Sequence, residues 1–145
     1  MHPLENFFPN LGPSGYKITS PVSIDYNCIA WAAEVTNQWW WPDRNFSCYW
    51  PDEIPREETI EAFIQAFQAL GYEPCEDGSL EPNFDKIVLY AEASGRPTHA
   101  ARQVRSGKWT SKIGCNIDIE HFLEALVGAK YGRITQFMKR PVRTL

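Results

Sequence analysis

KIVLYAEASGRPTHAARQVRSGKWTSKIG, residues 86–114, is the stretch whose reading decides the fold. Lys86-Ile87-Val88-Leu89-Tyr90-Ala91 is an apolar run with β-branched members, closed by Ser94-Gly95-Arg96-Pro97, which predicts a strand and a turn. Thr98 to Val104 alternates, and Ser106-Gly107 supplies a hairpin turn into Lys108–Gly114. Three short strands joined by tight turns predict an antiparallel meander. Upstream, Ile60, Phe63, Ile64, Phe67 and Leu70 form one apolar stripe at the helical period. Pro55, acidic Glu57 and Glu58, and Gly71 predict that this helix runs from Arg56 to Leu70. Downstream, Ile119, Phe122, Leu123 and Leu126 predict a second amphipathic helix over Ile119–Val127, then a last strand over Tyr131–Lys139. Helices followed by mostly antiparallel strands predict an α+β fold.

The N-terminal part is harder to read. Residues 1–22 hold Pro3, Pro9, Gly12, Pro13, Gly15 and Pro21 and are expected to form an irregular arm of a single domain spanning 1–145. Cys28-Ile29-Ala30-Trp31-Ala32-Ala33 favours a helix, capped by Asp25 or Asn27. Pro42 ends the run Trp39-Trp40-Trp41, and residues 42–56 read as loop.

With 43% hydrophobic residues the 145-residue chain can build a core and is not a disordered segment. Fourteen basic against 18 acidic residues leave a net charge of −4, which argues against a nucleic-acid binder driven by bulk electrostatics. No apolar run approaches the roughly 18 residues of a membrane span. The start, MHPLENFFPNLGPSG, lacks a basic segment and a long apolar stretch, so the expectation is a protein cytoplasmic as synthesised, with no signal peptide. Delivery or secretion would then fall to another system. The four cysteines (Cys28, Cys48, Cys75, Cys115) form no CxxC pair, and three histidines complete no zinc-binding spacing; neither metal nor cofactor is expected. Two disulfides in an oxidising compartment are the alternative use of these thiols.

Cys28 is the thiol of interest. At a helix start, N–H groups and the helix dipole favour a thiolate, although a buried cysteine beside Ala and Trp also packs well as a plain apolar residue. His99, on the strand after the Gly95-Arg96-Pro97 turn, is a candidate base for that thiol; by itself it reads as an ordinary strand histidine. The order is a helix-start Cys and, about 70 residues on, a strand His, as expected when a nucleophile helix packs on the sheet that supplies its base.

Taken together, Y-N-C-I-A-W-A-A, D-K-I-V-L-Y-A, T-H-A-A-R-Q and G-K-W-T-S-K-I-G resemble the papain-like superfamily, in particular compact bacterial NlpC-type cell-wall endopeptidases and related amidases. The resemblance spans roughly residues 25–114. It implies a papain-like α+β fold, with an N-terminal nucleophile helix and an amphipathic helix packed on a mostly antiparallel sheet. It implies a cysteine-dependent amide hydrolase working through a thioester, with Cys28 as nucleophile and His99 as base. The substrate would be a peptide or protein amide, such as a peptidoglycan peptide. A bacterial toxin or effector with a cognate inhibitor protein fits the same analogy.

The third catalytic group departs from that pattern, since the strand after His99 offers no Asn, His or Asp before Gly114. Ser111, 12 positions after His99, ranks first as the orienting group, ahead of Asp118, which also suits a helix cap, and Gln103 on the His99 face of its strand. Glu120 is a further charged alternative to Asp118. The Cys28 backbone N–H, helped by an upstream side chain such as Asn27 or Asp25-Tyr26, would hold the oxyanion, unless Asn27 is only a cap. Trp40 and Trp41 either grip a substrate beside Cys28 or form an aromatic mini-core that pins the loop. His121 reads as a surface or capping residue, and Cys48, Cys75 and Cys115 as structural. Glutamine deamidation or acyl transfer would share the first chemical step. A non-enzymatic binding module using the Trp-rich loop is the alternative of a different class; it requires an inert Cys28 and a flat, exposed aromatic loop.

Overall fold

The computed structural model describes residues 2–113 and 116–142, so Cys115 and Gly114 lie outside the described residues. In chain order the elements are α1 (Leu11–Ser14), β1 (Tyr16–Ser20), α2 (Cys28–Ala32), α3 (Ile60–Gln68), β2 (Glu73–Cys75), β3 (Phe84–Ala91), β4 (Pro97–Gln103), β5 (Trp109–Lys112), β6 (Asp118–His121) and β7 (Arg133–Pro141), with 3-10 turns at Pro3–Asn6 and Leu123–Leu126. The strands form one seven-stranded sheet in the order β1-β6-β5-β4-β3-β7-β2. Every ladder between them is antiparallel.

This corrects the expected α+β, papain-like architecture. The chain is only 19% helical and the fold is β-rich. Three local competitions account for the difference. The expected helix over 56–70 begins only at Ile60, because Thr59 accepts a hydrogen bond from Ala62 N and acts as its cap. Residues 119–127 are no helix: Asp118–His121 is β6, zipped between β1 and β5, and only a 3-10 turn follows. Its short apolar run fits a period of two as well as 3.6, and two neighbouring strands decide for the former. Residues 1–22, read as an irregular arm, contain β1, the strand that closes β6 from outside. The last unread element, β2, carries Pro74 and lies at the sheet edge, where a missing N–H costs no rung.

The meander itself was legible. β3 runs buried from Lys86 to Ala91 because both faces of the sheet are covered. On one face Ile87, Leu89, Ala100 and Met138 pack under α2, α3 and the tryptophan loop, with Phe63 and Phe67 fully buried. On the other, Val88, Tyr90, Ala101, Trp109 and Ile119 pack under Leu4, Phe8, Leu11 and Leu126. β4 and β5 share only two rungs, Arg102–Thr110 and Gln103–Trp109. Beyond them the strands part, and α2 packs on both.

A tight connection after the second 3-10 turn fixes how β7 enters beside β3. Gly128 and Gly132 exchange backbone hydrogen bonds of 2.9 and 2.7 Å around Tyr131. Gly132 has φ +81°, and an added Cβ would run into the Ala91 carbonyl oxygen and lie 2.8 Å from Glu92 Cα. Gly95 shares the left-handed conformation (φ +93°) but has open space around it. Gly95→Ala should therefore cost about 1–2 kcal/mol for the backbone alone. Gly132→Ala adds a backbone collision and should cost about 3 kcal/mol or more, a ranking that urea unfolding of the two variants checks directly.

Candidate functional site

Asn27 starts the site. Its Oδ1 accepts from Ala30 N at 3.1 Å, capping α2, and from Trp40 N at 3.0 Å, while its Nδ2 donates to Trp40 O at 2.9 Å. The side chain thus pins the tryptophan loop to the first turn of α2, using both lone pairs of Oδ1 and one Nδ2 hydrogen. Trp40 is buried against Tyr49, and the half-buried Trp41 meets Phe63 edge-on at 5.3 Å, so both rings pack onto the core. Trp39 is the exposed member of the three, its Nε1 donating to Ile24 O at 2.8 Å.

Cys28 follows as the first residue of α2 and is buried, with 8% of its surface exposed. Two influences oppose each other at its sulfur. Desolvation penalises the thiolate; the backbone at Ala100, Ile29 and Cys28 itself and the Lys112 charge favour it. Burial wins and pushes the thiol up to about 11 from 9.0. The short α2 does not generate the resting thiolate expected from a helix start. Ala100 lies on the stretch of β4 beyond the last rung to β5, next to His99.

His99, fully buried on β4, lies under Tyr131, the two rings stacked 4.1 Å apart at 9°. Tyr90 approaches it edge-on at 5.3 Å. A register shift in the β3–β4 ladder falls between Tyr90, the partner of His99, and Ala91, a device that re-aims side chains at sites of this kind. The His99 Nε2 stands 2.8 Å from Ser111 Oγ, across the gap where β4 and β5 part. Ser111 Oγ in turn stands 2.7 Å from His121 Nε2, and His121 Nδ1 is 2.8 Å from the Phe122 carbonyl oxygen. Three strands therefore contribute one buried polar chain, His99–Ser111–His121. His99 Nδ1 alone in that chain is buried without a hydrogen-bond partner, so the structure forms no hydrogen bond between it and the Cys28 thiol.

Of the candidates for the third group, the structure brings Ser111 to His99. Asp118 is elsewhere: it accepts from Tyr26 OH at 2.6 Å, on the face of the sheet opposite Ile119 and His121, and it caps no helix. Gln103 lies four residues along β4, roughly 13 Å from His99 at strand rise, and donates to Gly78 O at 2.7 Å. Glu120, on the same side of β6 as Asp118 by alternation, also stays out of the chain. His121, expected at the surface, is buried and joins the site. Its signal was the spacing Ile117, Ile119, His121 at period two, masked by the helical reading. Tyr131 was missed because nothing local marks a ring that stacks across the sheet.

Lys112, also fully buried, donates to Ser23 O at 2.6 Å and to Asn116 O, and lies 5.1 Å from the Tyr26 ring. It ties the segment leading into Cys28 onto β5. Among the described residues no group of three or more His, Cys, Asp or Glu stands ready to hold a metal ion, and no helix is long and apolar enough to cross a membrane.

Residues 17–139 match a family described as a domain of unknown function (DUF7689). The chain belongs to that family. No curated protein and no solved structure gives a match. The papain-like resemblance therefore gains nothing from relatives.

Both imidazoles are held neutral by burial. The His121 pKa falls from 6.5 to about 4, and that of His99 falls well below 6.5, with His121 adding to the effect. The unfolded chain binds these protons more readily, so stability is complete above pH 6.5 and is lost as pH falls toward the folded values. His121 alone should remove about 3 kcal/mol between pH 6.5 and pH 4. Urea unfolding across that range should show the loss, and the double variant His99→Phe, His121→Phe should flatten it.

Proposed function

We propose that this protein is a cysteine-dependent acyl-transfer enzyme of the amide-hydrolase type, with Cys28 as nucleophile and His99 as general base. The observation that carries the reading is the bare, buried Nδ1 of His99, held by Ser111 through the opposite nitrogen, on the strand against which the Cys28 sulfur packs. Burying two imidazoles and a hydroxyl in an apolar core is costly, and the chain meets that cost with a continuous run of hydrogen bonds from His99 Nε2 to the Phe122 carbonyl.

The resting pair is neutral. On substrate binding the thiol proton passes to His99 Nδ1 as sulfur bonds to the carbonyl carbon, and the oxyanion turns to the first-turn N–H groups of Cys28 and Ile29. The imidazolium then protonates the leaving nitrogen as the C–N bond breaks, leaving a thioester on Cys28. Water, deprotonated by His99 Nδ1, attacks the thioester, releasing the acid and restoring the thiol. A peptide or side-chain amide is the substrate class this sequence of steps serves.

A second reading has its own support. Cys28 is buried, and Trp39 and Tyr49 are 37% and 42% exposed, as a binding module presenting the aromatic loop would have them. One experiment separates the two. Incubated with 4-nitrophenyl acetate and digested for mass spectrometry, the protein should carry the acetyl group on Cys28 in preference to Cys48 and Cys75. Cys28→Ala should abolish that adduct, and His99→Phe should slow its formation by roughly 100-fold or more. Equal labelling of the thiols, or indifference to His99, would instead favour the binding module.

A further inference from the structure

The proposed reaction uses Cys28, His99 and Ser111 and leaves His121 without a task. The hydrogen-bond chain supplies one, because the direction of every hydrogen in it can be worked out from its far end. The Phe122 carbonyl oxygen only accepts, so His121 Nδ1 must carry a hydrogen. His121 is neutral, so its Nε2 is bare and accepts. The hydrogen between Ser111 and His121 is then the Ser111 hydroxyl's own, donated to His121. With that hydrogen spent, Ser111 can meet His99 only as an acceptor, so His99 Nε2 donates. A neutral imidazole carries one hydrogen, and His99 Nδ1 is left with a bare lone pair.

We infer that His121 is a positioning residue: anchored on the Phe122 carbonyl, it orients the Ser111 hydroxyl and so locks His99 into the tautomer whose Nδ1 can accept a proton. This rests on the proposed reaction for its purpose, not for its geometry. Without an acceptor at position 121, Ser111 is free to donate to His99 Nε2 instead. That favours the tautomer with hydrogen on Nδ1, which cannot act as base toward the thiol. A serine can play either part, and the second histidine removes the choice. The same lock at the far end explains why a hydroxyl serves here where a carboxylate would orient its histidine by charge.

The chain has three histidines, His2, His99 and His121, so the nitrogen spectrum of protein labelled with ¹⁵N in its imidazoles can be assigned by single substitutions. The expected wild-type spectrum has His99 protonated on Nε2 and bare on Nδ1, and His121 protonated on Nδ1. In His121→Phe, His99 should lose this fixed tautomer, and acetylation of Cys28 by 4-nitrophenyl acetate should slow by roughly 10- to 100-fold. His121→Gln, which keeps an acceptor for Ser111, should restore both the tautomer and most of the rate. Hydrogen on His99 Nδ1 in the wild type would overturn the inference without any variant, and so would an unchanged His99 tautomer in folded His121→Phe. Wild-type protein with the expected tautomers but no acetylation at Cys28 would sink the reaction while leaving the relay standing.

Discussion

A single hydroxyl, Ser111 Oγ, sits between two buried imidazoles at 2.8 and 2.7 Å, and three strands answer to its position. β5 brings it, β4 brings His99 and β6 brings His121. The β4–β5 ladder stops after two rungs, and this side-chain bridge spans the gap that opens beyond them. Desolvating three polar side chains is tolerated because the chain ends on a backbone carbonyl that accepts a hydrogen bond, with Tyr131 stacked over His99 to close off water. Loss of any member would leave a buried polar atom stranded, which is why the chain is both a structural and a chemical constraint.

The opposite side of the same gap is governed by desolvation. Backbone N–H groups and Lys112 favour a thiolate at Cys28, yet the sulfur is buried deeply enough that the thiol dominates near neutral pH. His99 is likewise neutral at rest. The site is therefore not a preformed ion pair. In the proposed reaction, charge separation waits until a substrate brings its own carbonyl to the sulfur, and first-turn N–H groups then meet the oxyanion. The Asn27 amide clamps Trp40 to the helix start and so fixes where Cys28 stands.

What the sequence revealed follows from how local the controlling interactions are. Lys86–Ala91 and the Ser106-Gly107 turn were readable because apolar runs and turn chemistry act over a few residues, and for the same reason the cap of α2 was narrowed to Asp25 or Asn27, of which Asn27 holds it. The 12-residue spacing of His99 and Ser111 across one hairpin survived into a contact. The second helix failed because β6 is made a strand by partners on both sides, one of them in the N-terminal segment taken as irregular. That failure also hid His121: on a helix it lies beside the apolar stripe, and on a strand it shares a face with Ile119 and points into the core. Asp118 went the other way, from plausible third residue to a partner of Tyr26 on the opposite face. A one-element error in periodicity thus exchanged the roles of two residues only three apart.

The central claim concerns where hydrogens sit, and neutron diffraction from a perdeuterated crystal at neutral pH sees them directly. The account predicts deuterium on His99 Nε2, on Ser111 Oγ directed at His121, on His121 Nδ1 and on the Cys28 sulfur, with none on His99 Nδ1. Deuterium on His99 Nδ1, with Ser111 donating to Nε2, would contradict it: the nitrogen proposed as the base would then be a donor, and the proposed reaction would lose its base.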